Sequence, residues 1–272
     1  MSRRFLAAAV QFCAAADKDA NFAVAARLAR VAAMRGAGLI VLPEMFAWRG
    51  AREAEASAAE SLPGPTSERL AGLARELGVV LVGGSLLERS AQADRYYNTS
   101  TIYGRDGALL GRYRKVHLFD VDLPGHVTHR ESDTKLRGDE VVVVSTDLGR
   151  IGLSICYDLR FPELYRRLVA AGATLICVPS AFTFPTGAHH WEILLRARAI
   201  EDQVYVVAAN QIGRSPSGVN DFGHSLIVDP WGTPIARASN AAETVIVGEI
   251  DLDYLDRVRR ELPCLEHRTL AV

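Results

Sequence analysis

Three side chains of complementary chemistry, Glu44, Lys115 and Cys156, stand where strand-like runs end. Cys156 closes Ile151-Gly152-Leu153-Ser154-Ile155 and opens Tyr157-Asp158-Leu159-Arg160-Phe161-Pro162-Glu163, a strand running into a helix. A thiol on such a turn stands clear of the sheet, and the amides that follow it point into the space a substrate would occupy. Read alone, the peptide fits a small buried core cysteine equally well. Glu44 follows Leu39-Ile40-Val41-Leu42-Pro43. A carboxylate at the end of a buried strand is expensive unless it serves as a base, although a capping or surface glutamate also fits. Lys115, in Arg112-Tyr113-Arg114-Lys115-Val116-His117, reads in isolation as a solvated cation. Together the three supply a nucleophile, a base and a positive charge for a developing oxyanion.

The elements that must hold them alternate. Strand candidates run over Phe5–Val10, Leu39–Leu42, Val79–Val82, Thr99–Tyr103, Val141–Val144, Ile151–Ile155, Thr174–Val178, Val204–Ala209, Ser225–Val228 and Thr244–Ile250. Helical periodicity is expected over Ala20–Arg35, Thr66–Leu77, Pro162–Ala171 and His189–Asp202. Turn-forming clusters at 104–107, 147–150 and 229–234 predict hairpins, so the sheets should be mixed. Two stretches, Ala47–Pro65 and Asp120–Asp139, break the pattern and read as long loops of the kind that border sites.

The 272 residues are 49% hydrophobic, enough for a large core. Thirty-one basic and thirty-two acidic residues give a net charge of −1, which leaves no electrostatic footprint for nucleic acid or an anionic membrane. No apolar run reaches a membrane span, and the N-terminal residues lack a small-residue cleavage pattern, so a cytoplasmic protein is expected. Cys13, Cys156, Cys177 and Cys264 form no CxxC pair, which argues against zinc and against a disulfide framework. No linker or repeat interrupts the chain. One domain over 1–272 is expected, with a core about 5–253 and a tail, 254–272, packing at a subunit interface.

With LPEMF around Glu44, YRKVHLFD around Lys115 and GLSICYDLRFPELYRRL around Cys156, the chain resembles the nitrilase, or carbon-nitrogen hydrolase, superfamily. The likeness runs from about Phe5 to Arg268, through TGAHHWEILLRARAIEDQVYVVAANQ and FGHSLIVDPWGTPIAR. RKVHLFDVDLPG, RESD and LDRVRRELPCLEHR look most like the branch of deaminated glutathione amidases and omega-amidases. One departure is TGAHHW, where that branch commonly has TGPAHW.

The resemblance implies an α/β fold, a four-layer αββα sandwich of two mixed sheets flanked by helices. It implies a Glu-Lys-Cys triad of Glu44, Lys115 and Cys156, in which Cys156 forms a thioester and Glu44 moves the protons. Lys115 and the Tyr157 amide would hold the oxyanion. Glu131 aligns with a second glutamate of the family that orients Lys115 or the substrate amide, and Ser132 is left unassigned. No cofactor and no metal are expected. The partners implied are a small-molecule amide and at least one further copy of the chain, as a homodimer or higher homo-oligomer paired through helices.

Other readings remain beside this one. Arg160, four residues after Cys156, would reach a substrate carboxylate, or else pair with Asp158 or Glu163. Tyr157 would line the pocket or simply pack. His117 invites a Cys-His reading, but two residues after Lys115 in an extended segment it is expected to point away. Adjacent His189 and His190 lack a supporting ligand set for metal. Trp191, Leu194, Leu195 and Arg198 share a helical face that reads as core or subunit contact. N-carbamoyl hydrolysis, acyl transfer to an amine and a catalytically silent interaction partner are the functional alternatives.

Overall fold

A computed structural model describes residues 3–270 apart from His126 and Ser217. Arg4–Gln11, Ala37–Val41 and Val80–Val82 run parallel side by side. Thr244–Asp251 joins them antiparallel on one side and Tyr96–Tyr103 on the other. Leu86–Arg89, Leu109–Arg114 and the short Lys135–Leu136 all pair with Tyr96–Tyr103, completing an eight-stranded mixed sheet. The second sheet has six strands. Gly149–Leu153, Leu175–Ser180 and Tyr205–Asn210 are its parallel centre, flanked by antiparallel Val143–Thr146, Leu226–Val228 and Pro234–Arg237.

Side-chain alternation sorts the first sheet's residues between two cores. Ala7, Ala9, Leu39, Val41, Val80 and Val82 face the second sheet. Their neighbours Ala8, Val10, Ile40 and Leu81 pack beneath Ala25, Leu28 and Ala29 of helix Lys18–Met34 and Leu70 and Leu73 of helix Pro65–Leu77. On the far side of the second sheet lie helix Pro162–Ala170, through Leu164 and Leu168, and helix Phe184–Asp202, through Trp191, Leu195 and Ala199. Helix, sheet, sheet, helix is the expected αββα sandwich. The near-continuous apolar reading of the parallel strands follows from their being covered on both faces.

Several expectations shift at the edges. The helix expected from His189 begins at Phe184, because Pro185 sits in its first turn, where a missing N–H costs nothing. Gly187 allows that turn to press on Phe222, whose Cβ would lie 2.4 Å from an added methyl. His189 and His190 therefore stand within the helix and are exposed. The stretch 120–139 is not a plain loop: Asp120–Leu123 pairs with Val127–Arg130 as a hairpin, followed by a single helical turn, Glu131–Asp133. Its polar, half-exposed strands lack the apolar alternation that marks a core strand. Ala47–Pro65 likewise holds a short helix, Glu55–Ala58. The chain's last helix, Leu252–Glu261, is capped by the Asp251 carboxylate and buries Leu252, Leu255 and Val258.

Candidate active site

Both sheets deliver functional groups from the carboxyl ends of their parallel strands, where α/β folds place ligands. From the first sheet, Ala37–Val41 leads through Leu42 and Pro43 to Glu44. Gly84, in the left-handed region at φ +58, lets the Pro43 carbonyl pass where a Cβ would stand 2.1 Å away. The Glu44 carbonyl accepts from Gln211 Nε2 at 2.8 Å, and Met45 N donates to Ser85 Oγ at 2.9 Å, so the backbone is pinned on both sides of the carboxylate. Lys115 follows Leu109–Arg114 directly, and its N–H donates to the Asn98 carbonyl.

From the second sheet, Gly149–Leu153 ends three residues before Cys156, which adopts φ +47 at the start of the helical turn Cys156–Arg160. A non-glycine residue in that region is strained, and the turn is held by Asp158. The Asp158 carboxylate is fully buried and accepts from Ile155 N at 2.9 Å, Tyr113 Oη at 2.7 Å, His117 N at 3.0 Å and His117 Nδ1 at 2.8 Å. The segment around His117 bends rather than extends, and the imidazole lies flat on Phe161 with ring centroids 3.7 Å apart.

Glu44, Lys115, Glu131 and Cys156 converge, all buried. Lys115 Nζ donates to Glu44 Oε1 and to Glu131 Oε2, each at 2.9 Å. Asn98 Nδ2 bridges the same two carboxylates at 2.8 and 3.2 Å. The remaining Glu44 oxygen accepts from Ala181 N at 2.8 Å, and Glu131 also accepts from Phe119 N at 2.7 Å. The thiol of Cys156 lies within electrostatic reach of Glu44, Lys115 and the same Ala181 amide.

Electrostatics follow from this packing. Burial works against the Lys115 ammonium, but Glu131 and Glu44 outweigh it and hold the group well above the usual 10.5. Burial also works against the Glu131 carboxylate, yet Lys115 and the Phe119 amide keep it below the ordinary glutamate value. For Cys156, burial and the adjoining Glu44 charge push the thiol well above 9.0, against the smaller pull of Lys115. Burial and the Glu44 charge thus favour the thiol over the thiolate at Cys156.

A cavity of about 400 Å³ opens onto Glu44, Lys115 and Cys156 and extends to Trp48, Arg130 and Lys135. Tyr157 and Arg160 are not among its lining residues. Tyr157 packs edge-on against Phe119 and Phe161. Arg160 pairs with neither Asp158 nor Glu163 among the described residues. Its guanidinium lies over Phe182 at 5.1 Å, donates to His190 Nδ1 at 3.2 Å and remains within electrostatic reach of Cys156. Ser132 donates its amide to Asp120. Trp191, Leu195 and Arg198 are buried within the chain, so that face is core.

Asn98, Asp158, Gln211 and the Ala181 amide are the components that motif reading passed over. A signal existed for Gln211, which ends Tyr205–Asn210 as Glu44 ends its own strand. Asn98 lies inside a strand whose polar Thr99, Ser100 and Thr101 are buried too, so its type alone did not single it out.

A thiol, a carboxylate and an ammonium thus converge at the strand ends of an αββα sandwich. The chain belongs to the carbon-nitrogen hydrolase family, whose profile matches residues 6–260. It is 40% identical over 265 residues to the omega-amidase of Xenopus tropicalis, covering 97% of this chain and 95% of that protein. It is 45% identical over 269 residues to the deaminated glutathione amidase of Bos taurus, covering 97% and 81%. The NitFhit protein of C. elegans superposes with a TM-score of 0.89 at 38% identity, covering 98% of this chain and 65% of that one. A variant amidase from Nesterenkonia, 28% identical with a TM-score of 0.79 over 95% of this chain and 98% of that one, carries acrylamide added to its active-site cysteine. The chain is thus an amidase acting on carbon-nitrogen bonds.

Proposed function

We propose that the chain hydrolyses the amide of a small carboxylate-bearing metabolite through a thioester on Cys156. The observation that carries this reading is the convergence of Cys156, Glu44 and Lys115 from three separate elements. Cys156 Sγ attacks the amide carbon while its proton passes to Glu44. The tetrahedral oxyanion is held by Lys115 Nζ and the Tyr157 amide. As the C–N bond breaks, Glu44 returns the proton to the leaving nitrogen. Water then attacks the thioester, giving a proton to Glu44 and restoring the thiol. Glu131 and Asn98 keep Lys115 and Glu44 in register throughout.

The relatives are an omega-amidase and a deaminated glutathione amidase, and the substrates we assign to those two activities, alpha-ketoglutaramate and deaminated glutathione, share one acyl half, a five-carbon keto acid ending in a carboxylate. Arg160, with no carboxylate of its own among the described residues, is the cation we assign to that group. Incubation with each amide, followed by measurement of both the acid and the released ammonia or amine, tests the function. Cys156→Ala should abolish release, and a thioester adduct should appear on Cys156 by mass spectrometry after acid quenching. Release from Cys156→Ala at the wild-type rate would end the proposal. Carbon dioxide accompanying ammonia from an N-carbamoyl compound would move it to that alternative. Ile193 and Ile200, exposed two turns apart on helix Phe184–Asp202, with Ile200 against Gly232 next to exposed Trp231, support pairing of two copies through their helices, which sedimentation at micromolar concentration tests.

A further inference from the structure

We infer that the cavity beyond the triad receives the amine half of the substrate, and that Arg130 binds a carboxylate carried by that amine. The inference rests on the amidase reading above and selects among its substrates a peptide-like amide over a terminal carboxamide. Its basis is how charge is distributed along the cavity wall. Five cations line it, and four are committed. Arg49 is paired with Asp221, Arg52 with Asp133 at 2.9 Å, Lys135 with Glu55 at 2.5 Å, and Lys115 with both active-site glutamates. Arg130 makes no ion pair with any described residue; Asp120, opposite it across the hairpin, accepts from the Ser132 amide at 2.9 Å instead. The cavity is therefore polarised, with an excess of carboxylate at Lys115 and a spare guanidinium on its exposed hairpin.

A substrate matching that polarity presents a neutral amide to the triad and an anion to Arg130. The acyl half does not fill this role, because the unpaired Arg160 lies outside the cavity wall. The amine half does. Its nitrogen must lie against Glu44, and Met45, Trp48 and Arg49, which follow Glu44 in the chain, form the adjoining wall. Two extended residues span about 7 Å, the scale of a cavity this size. Midway, Glu55 Oε2 is buried without a hydrogen-bond partner among the described residues, an acceptor suited to a peptide N–H. On cleavage the C–N bond breaks, Glu44 protonates the nitrogen, and the amine leaves past Arg130 with its own carboxylate.

Arg130→Gln tests this on two substrates that share an acyl half. Its kcat/KM for deaminated glutathione should fall about tenfold further than that for alpha-ketoglutaramate, mainly through KM, the scale of one partly exposed ion contact. Equal losses, or a greater loss on alpha-ketoglutaramate, would overturn the inference. Calorimetric titration of the Cys156→Ala protein with cysteinylglycine, with and without Arg130→Gln, separates it from the parent reading. Weaker binding by the double variant supports the amine pocket even if neither amide is cleaved, and unchanged binding overturns it.

Discussion

His117 Nδ1 lies 2.8 Å from Asp158 Oδ1, so this imidazole beside the turn Cys156–Arg160 is engaged by a buried carboxylate. Stacking on Phe161 holds the ring in that position. His117→Ala removes one support of the turn and leaves the base intact, so kcat should fall by less than about tenfold, against the hundredfold or more expected when a general base is lost. Steady-state rates for His117→Ala and Glu44→Gln side by side decide the point. A loss for His117→Ala as large as that for Glu44→Gln would make the histidine the base.

Asp158 is the residue on which the strained Cys156 conformation rests. All four groups it accepts are donors, and an asparagine turns an NH2 toward at least one of them. A buried donor left without its charged acceptor costs about 1.5–3 kcal/mol. For a chain of this size that is a loss of roughly 4–10 °C in Tm, measured by thermal unfolding. Asp158→Asn should also lower kcat more than it changes KM. Tyr113→Phe, which deletes one donor to Asp158 and the acceptor that the Val116 N–H reaches at 3.3 Å, should be milder in both respects, because the charged carboxylate and its other three donors stay in place.

The division between what the sequence announced and what it concealed follows from the range of each interaction. Glu44, Lys115 and Cys156 were visible as a set, because each ends a strand-like run within a motif of the family resemblance, although each alone fitted a plainer role. The layers came from the family resemblance; the continuous apolar runs of Arg4–Gln11 and Ala37–Val41, which reflect burial on both faces, were compatible with them without specifying them. Asp158 was not visible, because its partners Tyr113 and His117 belong to the other sheet's edge and meet it only after the sheets pack. Arg130 was hidden for the opposite reason. Its meaning lies in the pairing of four other cations distant in sequence, which no spacing encodes.

Cys156 should behave as a protonated thiol when no substrate is bound. Burial and Glu44 both disfavour its thiolate, so iodoacetamide labelling should accelerate with rising pH past 9.0 rather than reach a neutral plateau. Mass mapping of Cys156 in a Cys13→Ser, Cys264→Ser background measures this without interference from the two exposed thiols. In Glu44→Gln the negative neighbour is gone, so the pKa should fall. Turnover should drop a hundredfold or more while the sulfur still takes up acrylamide. A labelling rate flat from pH 6 to pH 9, roughly the neutral range, would show a resting thiolate instead.

The Lys115–Glu131 pair sets a pH window for stability. Lys115 has a folded pKa above its unfolded 10.5, so its contribution is complete below 10.5 and is lost as pH rises through the folded value. Glu131 has a folded pKa below 4.5, so its contribution is complete above 4.5 and is lost as pH falls through the folded value. Cys156, whose folded pKa exceeds 9.0, favours the unfolded chain once pH passes 9.0. From these three groups stability should be level between 4.5 and 9.0 and decline on both sides. Glu131→Gln removes the acid limb's share and leaves Lys115 with Glu44 alone. Breaking a buried ion pair outright costs about 3–5 kcal/mol, so the retained partner should limit the loss to about 3 kcal/mol at neutral pH. Urea unfolding across pH 3–7, a range of roughly four units around the carboxylate values, should show a shallower acid slope for Glu131→Gln than for wild type. Parallel curves displaced by a constant amount would mean that Glu131 contributes through shape and not through its charge.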